Sequence, residues 1–479
     1  MELENINRNL ARRIIEAVGG PGEPPTCGFQ FFTAGLDDYL APLENEYLSS
    51  YIREGGGSFK MVVGTYGGGK THFLYCIREL AWEHKFAVSY VTLNPHNTPF
   101  YKLELVFKSI IANLTYPMSL EEMQSSYEQG IESFTKKWFE NKKIELKSKG
   151  IRGYRLQEEL QRYASSIPIL ESTSFTNAIR EAFLSLAENR NMDFLNITQW
   201  LKVEGYDRSI HQKYGVLSKI EKSNAFQMIR SLIAWIKAIG YSGLVVLLDE
   251  AEQSPSIEGK QKLLLLSNLR ELIDECLKEG LANSMFFYAV PDEDFYKGGG
   301  QVYQALTQRL ASVFKKENWV GVTVHLESLS SDPVSVLCEI GQKLAEIFQI
   351  YYKIEFPKNV LKKSILNISN AACEERFAEI GYKRRYVQSL IRGLQRLRDN
   401  PSSVISPEMA REHRLLGLVM TLRSYNRRLQ GVDYALEVIT VYQSLPLSVI
   451  IVKAGYCQPE TIGTNHYELA FPRLKVDTG

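Results

Sequence analysis

The stretch VVGTYGGGKTHFL, residues 62–74, is an apolar run that breaks into glycines and ends on Gly-Lys-Thr before apolar residues return at helical spacing. It fits the spacing G-x-x-x-x-G-K-[ST] as Gly64, Thr65, Tyr66, Gly67, Gly68, Gly69, Lys70 and Thr71. Glycines let backbone N–H groups approach phosphate oxygens, and the N-terminus of the helix that follows adds partial positive charge. Lys70 has the reach for β- and γ-phosphates, and Thr71 carries a hydroxyl suited to Mg²⁺. His72, the next residue, joins Gly64, Gly67, Gly68, Gly69, Lys70 and Thr71 in the candidate nucleotide-binding set. The competing reading is a glycine-rich turn that binds nothing; its place between a strand and a helix weighs against that.

Working outward, FKMVVGTY (residues 59–66) reads as a strand, THFLYCIRELAWEH (71–84) as a helix and FAVSYVTLN (86–94) as a second strand. This β-loop-α-β order opens a doubly wound parallel sheet. The sheet resumes at YSGLVVLLDEAE (241–252), a continuous apolar run of the fully buried kind. Asp249 ends that run at the sheet edge where ligands bind and can hold a Mg²⁺ shell, while Glu250 can orient and deprotonate a water. An apolar run ending in Asp-Glu is weak alone; paired with the glycine loop, it favours hydrolysis over binding alone. A leucine-rich helix (261–277) follows, then NSMFFYAVP (283–291) and GVTVHL (321–326) as further strands.

The remaining features bound the reading. A chain of 479 residues holds about two to four modules. We read residues 1–114 as an N-terminal segment with the first part of the core, 115–240 as a helical insertion and 241–330 as the second part. A helical lid follows at 331–400, and a helical region ending in a β-like tail at 401–479. Lys plus Arg (56) and Asp plus Glu (55) nearly cancel, so any DNA-binding surface would be a local patch. The candidate patch is residues 136–155, with eight Lys or Arg against two Glu and with Trp138, Phe139 and Tyr154 interleaved. It reads either as a phosphate-backbone grip with stacking aromatics, or as a solvated helix face with those aromatics turned inward. Scattered cysteines, the absence of a signal-peptide pattern and the lack of an 18-residue apolar run point to a cytoplasmic protein outside the membrane. Arg309 is a candidate finger completing a neighbour's site, or a solvated helix arginine. Arg384 or Arg385 could reach a γ-phosphate from a lid helix, or belong to a basic helix face that meets DNA or nothing.

Four stretches resemble the ATP-binding proteins of bacterial BREX phage-defence systems, AAA+ ATPases of the BrxC and BrxD type, more distantly related to the origin-recognition branch. They are ARRIIEAVGGPGEPP (11–25), GGGSFKMVVGTYGGGKTHFL (55–74), GYSGLVVLLDEAE (240–252), and the succession NLRELIDE, YAVPD and QALTQRL within 268–310. The resemblance implies an α/β AAA+ P-loop NTPase with a parallel-sheet core, a long helical insertion and a mainly helical C-terminal lid and winged-helix-like region. It implies ATP and Mg²⁺ at Lys70 and Thr71, hydrolytic acids at Asp249 and Glu250, and residues 12–17 near the adenine. Arg309 becomes a finger between subunits of a homo-oligomer, and Arg384, with Tyr386 two residues on, becomes the lid arginine. The sequence departs from the family pattern at the first sensor, where Val290 stands in place of a polar residue. The expected function is ATP-driven assembly on DNA and recruitment or loading of a helicase, nuclease or methyltransferase partner. Its alternatives are a slowly hydrolysing nucleotide-gated scaffold and a target-selecting ATPase of transposition or replication initiation.

Overall fold

Strand β1 (Gly57–Val63) delivers the glycine loop, and all seven of its residues are buried. The computed structural model describes residues 6–20, 24–125, 127–251, 259–327, 332–374, 381–411, 434–438 and 452–456. The chain divides into two compact units, one of residues 1–6 and 24–340, the other of residues 7–23 and 341–479.

The first unit is built on a sheet of β1, β2 (Ala87–Thr92), β3 (Leu114–Thr115), β4 (Leu244–Asp249), β5 (Ser284–Val290) and β6 (Thr323–His325), in the order β3-β2-β4-β5-β1-β6. All pairings are parallel except that of β2 with β3. The mostly parallel α/β core matches the sequence reading and is consistent with the P-loop ATPase fold that the resemblance implies. Two later strands, β4 and β5, stand between β1 and β2. Parallel strands buried on both faces need apolar side chains throughout, which is why Leu244 to Leu248 are uninterrupted aliphatics, none more than 1% exposed. Helix Lys70–Glu83 packs on β2 and β4, and helix Lys260–Leu277 packs on β1.

Between β3 and β4 the chain is helical, as its periodicity suggests, with Ile131–Ser148, Tyr154–Ser166, Thr173–Ala187, Asn191–Leu201 and Ala225–Ala238 the longest pieces. Trp138, Phe183, Trp235 and Phe134 form their aromatic centre, with ring centroids 4.6 to 5.5 Å apart along the series. β3 itself corrects the expectation that this region lacks strands. Two residues leave no periodic signature, yet Thr115 pairs with Val88 and its hydroxyl donates to the Val88 carbonyl at 2.8 Å.

The second unit gathers helices Arg8–Gly19, Lys358–Cys373 and Tyr382–Asp399. Asn7 caps the first of these by accepting from the Leu10 N–H. That helix, which the sequence places with the first part of the core, lies against Tyr382–Asp399, so closely that a Cβ on Gly19 would sit 2.9 Å from Ile391. Farther on, strands β7 (Tyr434–Val438) and β8 (Val452–Tyr456) pair antiparallel. β7 falls where continued helix was expected, β8 falls in the expected β-like tail, and the rest of that tail lies outside the described residues.

One buried charge ties β1 to its surroundings. Lys60 is 1% exposed, and its ammonium donates to Tyr47 Oη (2.7 Å), the Gly321 carbonyl (2.7 Å) and the Trp319 carbonyl (3.3 Å). Tyr47 reaches it from a π-helical segment, Leu43–Tyr51, and the Tyr47 and Phe314 rings lie 4.2 and 4.9 Å from the nitrogen. All three N–H donors are thereby matched. Burial pulls the amine from 10.5 down to about 7. Above pH 7 the unfolded chain therefore holds a proton at this residue that the folded chain has released, so stability rises with pH until the unfolded lysine also titrates. The slope approaches about 1.4 kcal/mol per pH unit for one proton. Denaturant unfolding between pH 7 and 9.5 should show this rise, and Lys60→Met should flatten it; an equal slope in both proteins excludes Lys60 as its source.

Candidate nucleotide-binding site

The loop between β1 and helix Lys70–Glu83 is shaped by glycines for physical reasons. Gly67 (φ 71°) and Gly69 (φ 102°) occupy the left-handed region, and a Cβ on Gly68 would lie 2.9 Å from the Thr65 carbonyl oxygen. Gly69 occupies the N-cap of the helix, and a helix N-terminus presents N–H donors of the kind that suit an anion. Lys70, 6% exposed, folds back over the loop and donates to the carbonyls of Gly64 (2.9 Å) and Thr65 (3.3 Å). A cradle that side chains would fill, with an ammonium inside it, fits the phosphates of a nucleotide.

Asp249 meets the loop from β4. Its Oδ2 accepts from Thr71 Oγ1 at 2.7 Å and from the Tyr90 hydroxyl at 2.5 Å, while its Oδ1 accepts from the Glu250 N–H at 2.8 Å. Burial and the Asp249 charge push the Tyr90 phenol above its ordinary range, which keeps it a donor. A hydroxyl and a carboxylate are the hard oxygen ligands that suit Mg²⁺, which binds through one or two carboxylates and retains several waters. The described residues hold no group of three or more His, Cys, Asp or Glu that could bind a metal. Glu250 turns the chain out of β4 at φ 58°, a left-handed conformation that costs a non-glycine residue about 1–3 kcal/mol and concentrates at functional sites.

The family model described as BREX system ATP-binding protein BrxC/D matches residues 6–413. The chain belongs to this family. No curated protein and no solved structure matches it. ATP binding is thus the family's property, and no helix among the described residues of this BREX ATP-binding protein is long and apolar enough to cross a membrane.

The other expected site residues of this BREX protein are placed differently. The His72 ring sits between Phe29 and Phe32 (centroids 5.7 and 5.4 Å). Thr33 Oγ1 lies 2.8 Å from His72 Nε2 and 3.0 Å from the Phe29 carbonyl oxygen, within hydrogen-bond reach of both. His72 thus fastens the P-loop helix to the segment before it. Arg309 is held in its own chain by a two-pronged ion pair to Asp274 (2.5 and 2.9 Å), which holds the Asp274 carboxyl below its ordinary range. Arg384 lies half-buried in the first turn of Tyr382–Asp399, in the second unit, as do residues 12–17. Val290 is 1% exposed and its carbonyl accepts from the Gly64 N–H, so the end of β5 is indeed apolar.

The basic segment 136–155 takes its inward-facing form. Trp138 and Phe139 are buried, and Trp138 donates to the Tyr163 hydroxyl at 3.1 Å. Lys137, Lys142, Lys143 and Lys149 lie within 3.3 Å of Glu122, Glu145, Glu140 and Glu145 respectively. Tyr154 alone of the three named aromatics is exposed.

Sequence reasoning missed Tyr90 and Glu327, whose Oε1 accepts from the Thr65 N–H at 2.8 Å. It also missed the contact at 3.3 Å between Glu293, just beyond β5, and His325, the last residue of β6, two strands that flank β1. Only the register of the sheet could have revealed them. The loop geometry makes Gly68→Ala a direct test: overpacking of about 1–3 kcal/mol should lower ATP affinity about tenfold or more, read with a fluorescent ATP analogue. An unchanged dissociation constant would show that the loop can relax away from Thr65.

Proposed function

We propose that this protein hydrolyses ATP as an AAA+ ATPase, with the Gly64–Thr71 loop on the phosphates, Thr71 and Asp249 holding Mg²⁺, and Glu250 as the residue that orients and deprotonates the attacking water. The observation that carries this reading is the 2.7 Å bond from Thr71 to Asp249 with Glu250 as the next residue: it brings both halves of the site together. Mg²⁺ would neutralise charge on the β- and γ-phosphates. Lys70 would exchange its two carbonyl partners for phosphate oxygens, and Glu250 would accept a proton from the water as it attacks the γ-phosphorus. Arg309, once released from Asp274, has the fork geometry to serve a neighbouring subunit's site. His72 would hold the nucleotide-bound P-loop helix in place. The wider role we propose is ATP-dependent assembly on DNA in the cytoplasm, with recruitment of a helicase, nuclease or methyltransferase partner in anti-phage defence; membership of a BREX ATP-binding family supports it.

A second reading is a nucleotide-gated scaffold that hydrolyses ATP slowly. The apolar Val290 at the first-sensor position and the engagement of Arg309 by Asp274 favour it.

Steady-state ATP turnover separates the two. Glu250→Gln should retain ATP binding and lose about 10²- to 10⁴-fold in turnover. Arg309→Ala should lower turnover only under conditions where the protein associates. A wild-type rate equal to that of Glu250→Gln, with or without DNA, sinks the hydrolytic reading and leaves the scaffold. For DNA, replacing Lys136, Lys137, Lys142 and Lys143 by Gln should shallow the salt dependence of duplex binding if residues 136–155 contact phosphates. Because three of these lysines already have acidic partners, we expect the slope to change by less than one unit per lysine removed; an unchanged slope removes the patch.

A further inference from the structure

The register of β2 on β4 pairs Thr92 with Asp249. Tyr90, two residues earlier, therefore stands on the same face of the sheet as the Asp249 carboxylate. Its ring leans on Tyr75 of the P-loop helix, with centroids 5.2 Å apart, and its hydroxyl shares Asp249 Oδ2 with Thr71. The two donors differ in kind. Thr71 sits where the glycine loop enters its helix, and its hydroxyl must turn a lone pair toward a metal if it is to ligate one. Tyr90 is fixed on a strand and has no such second task. Oδ1 is meanwhile restrained by the Glu250 N–H, so Tyr90 is the group that keeps Oδ2 aimed toward Thr71 when the Thr71 hydroxyl turns.

We propose that Tyr90 is a positioning residue for the metal half of the site, its hydroxyl holding the Asp249 carboxylate in the orientation that Mg²⁺ requires. The inference rests on the proposed Thr71 and Asp249 metal site and adds to it a partner outside both sequence motifs. Hydrogen-bonding partners of ligating groups typically contribute 10- to 100-fold in metal affinity. The phenol donates to the carboxylate without removing its charge, so its loss frees the carboxylate to rotate and weakens metal binding.

The test uses the full chain, wild type and Tyr90→Phe, with a fluorescent ATP analogue titrated by Mg²⁺ and, separately, bound in EDTA. Phenylalanine retains the ring on Tyr75 and removes only the hydroxyl. The expected result is a half-saturating Mg²⁺ concentration raised about tenfold in Tyr90→Phe, with affinity in EDTA unchanged. An unchanged or lower half-saturating concentration overturns the proposal. So does an equal loss of affinity with and without Mg²⁺, which would make Tyr90 a part of the pocket wall. A wild-type protein whose nucleotide binding ignores Mg²⁺ removes the metal site itself, and this proposal with it. That outcome is distinct from a Mg²⁺-dependent wild type matched by its variant.

Discussion

A hydrogen bond of 2.7 Å joins Thr71 Oγ1 to Asp249 Oδ2, across 178 positions of sequence. Much of the first unit can be understood as the apparatus that makes this meeting possible. β1 must end in glycines so that the loop can curl, and β4 must be aliphatic throughout so that Asp249 arrives at the sheet edge from a rigid, dry strand. Helix Lys70–Glu83 must pack on β2 and β4, although the loop that starts it leaves from β1. A carboxylate that is 1% exposed is tolerable only because three donors surround it, and each comes from a different part of the chain.

Buried charge is handled in the same way at the opposite chemical sign. Among the described residues Lys60 has no acidic partner; it is held by oxygen dipoles and ring faces, which can solvate an ammonium without adding a second ion. Arg309 and Asp274 instead form a partly exposed fork, and a fork can exchange one carboxylate for another anion of similar geometry. These two modes separate a buried amine that gives up its proton above about pH 7 from a partly exposed cation that retains a choice of partner.

The parts of the fold legible in the sequence were those with a local physical signature. Residues 62–74 revealed the loop because phosphate cradles need glycine at fixed spacing, and residues 244–249 revealed β4 because a doubly covered strand must be apolar. β3 escaped because two residues carry no period. The basic run at 136–155 was ambiguous because charge shows in a sequence whereas its pairing does not; Glu122, which pairs with Lys137, lies outside the run. Tyr90 escaped for a deeper reason. Its meaning depends on which residue of β4 lies beside it, and strand register is a property of two segments 150 residues apart.

The strand order carries a further consequence, for the way the chain is made. β2 cannot pair with β1, because β4 and β5 stand between them, and its parallel partner begins only at Leu244. During synthesis at about 5–20 residues per second, the span from Thr92 to Leu244 takes on the order of 10–30 s to emerge. Through that interval β1 and β2 lack their central partners, and the glycine loop has no Asp249 to meet. The helical insertion, by its length, therefore sets how long β2 is made before its partner strand. It can fold on its own local contacts while the two halves of the sheet wait for one another, and the loop gains its acid only when β4 closes the sheet.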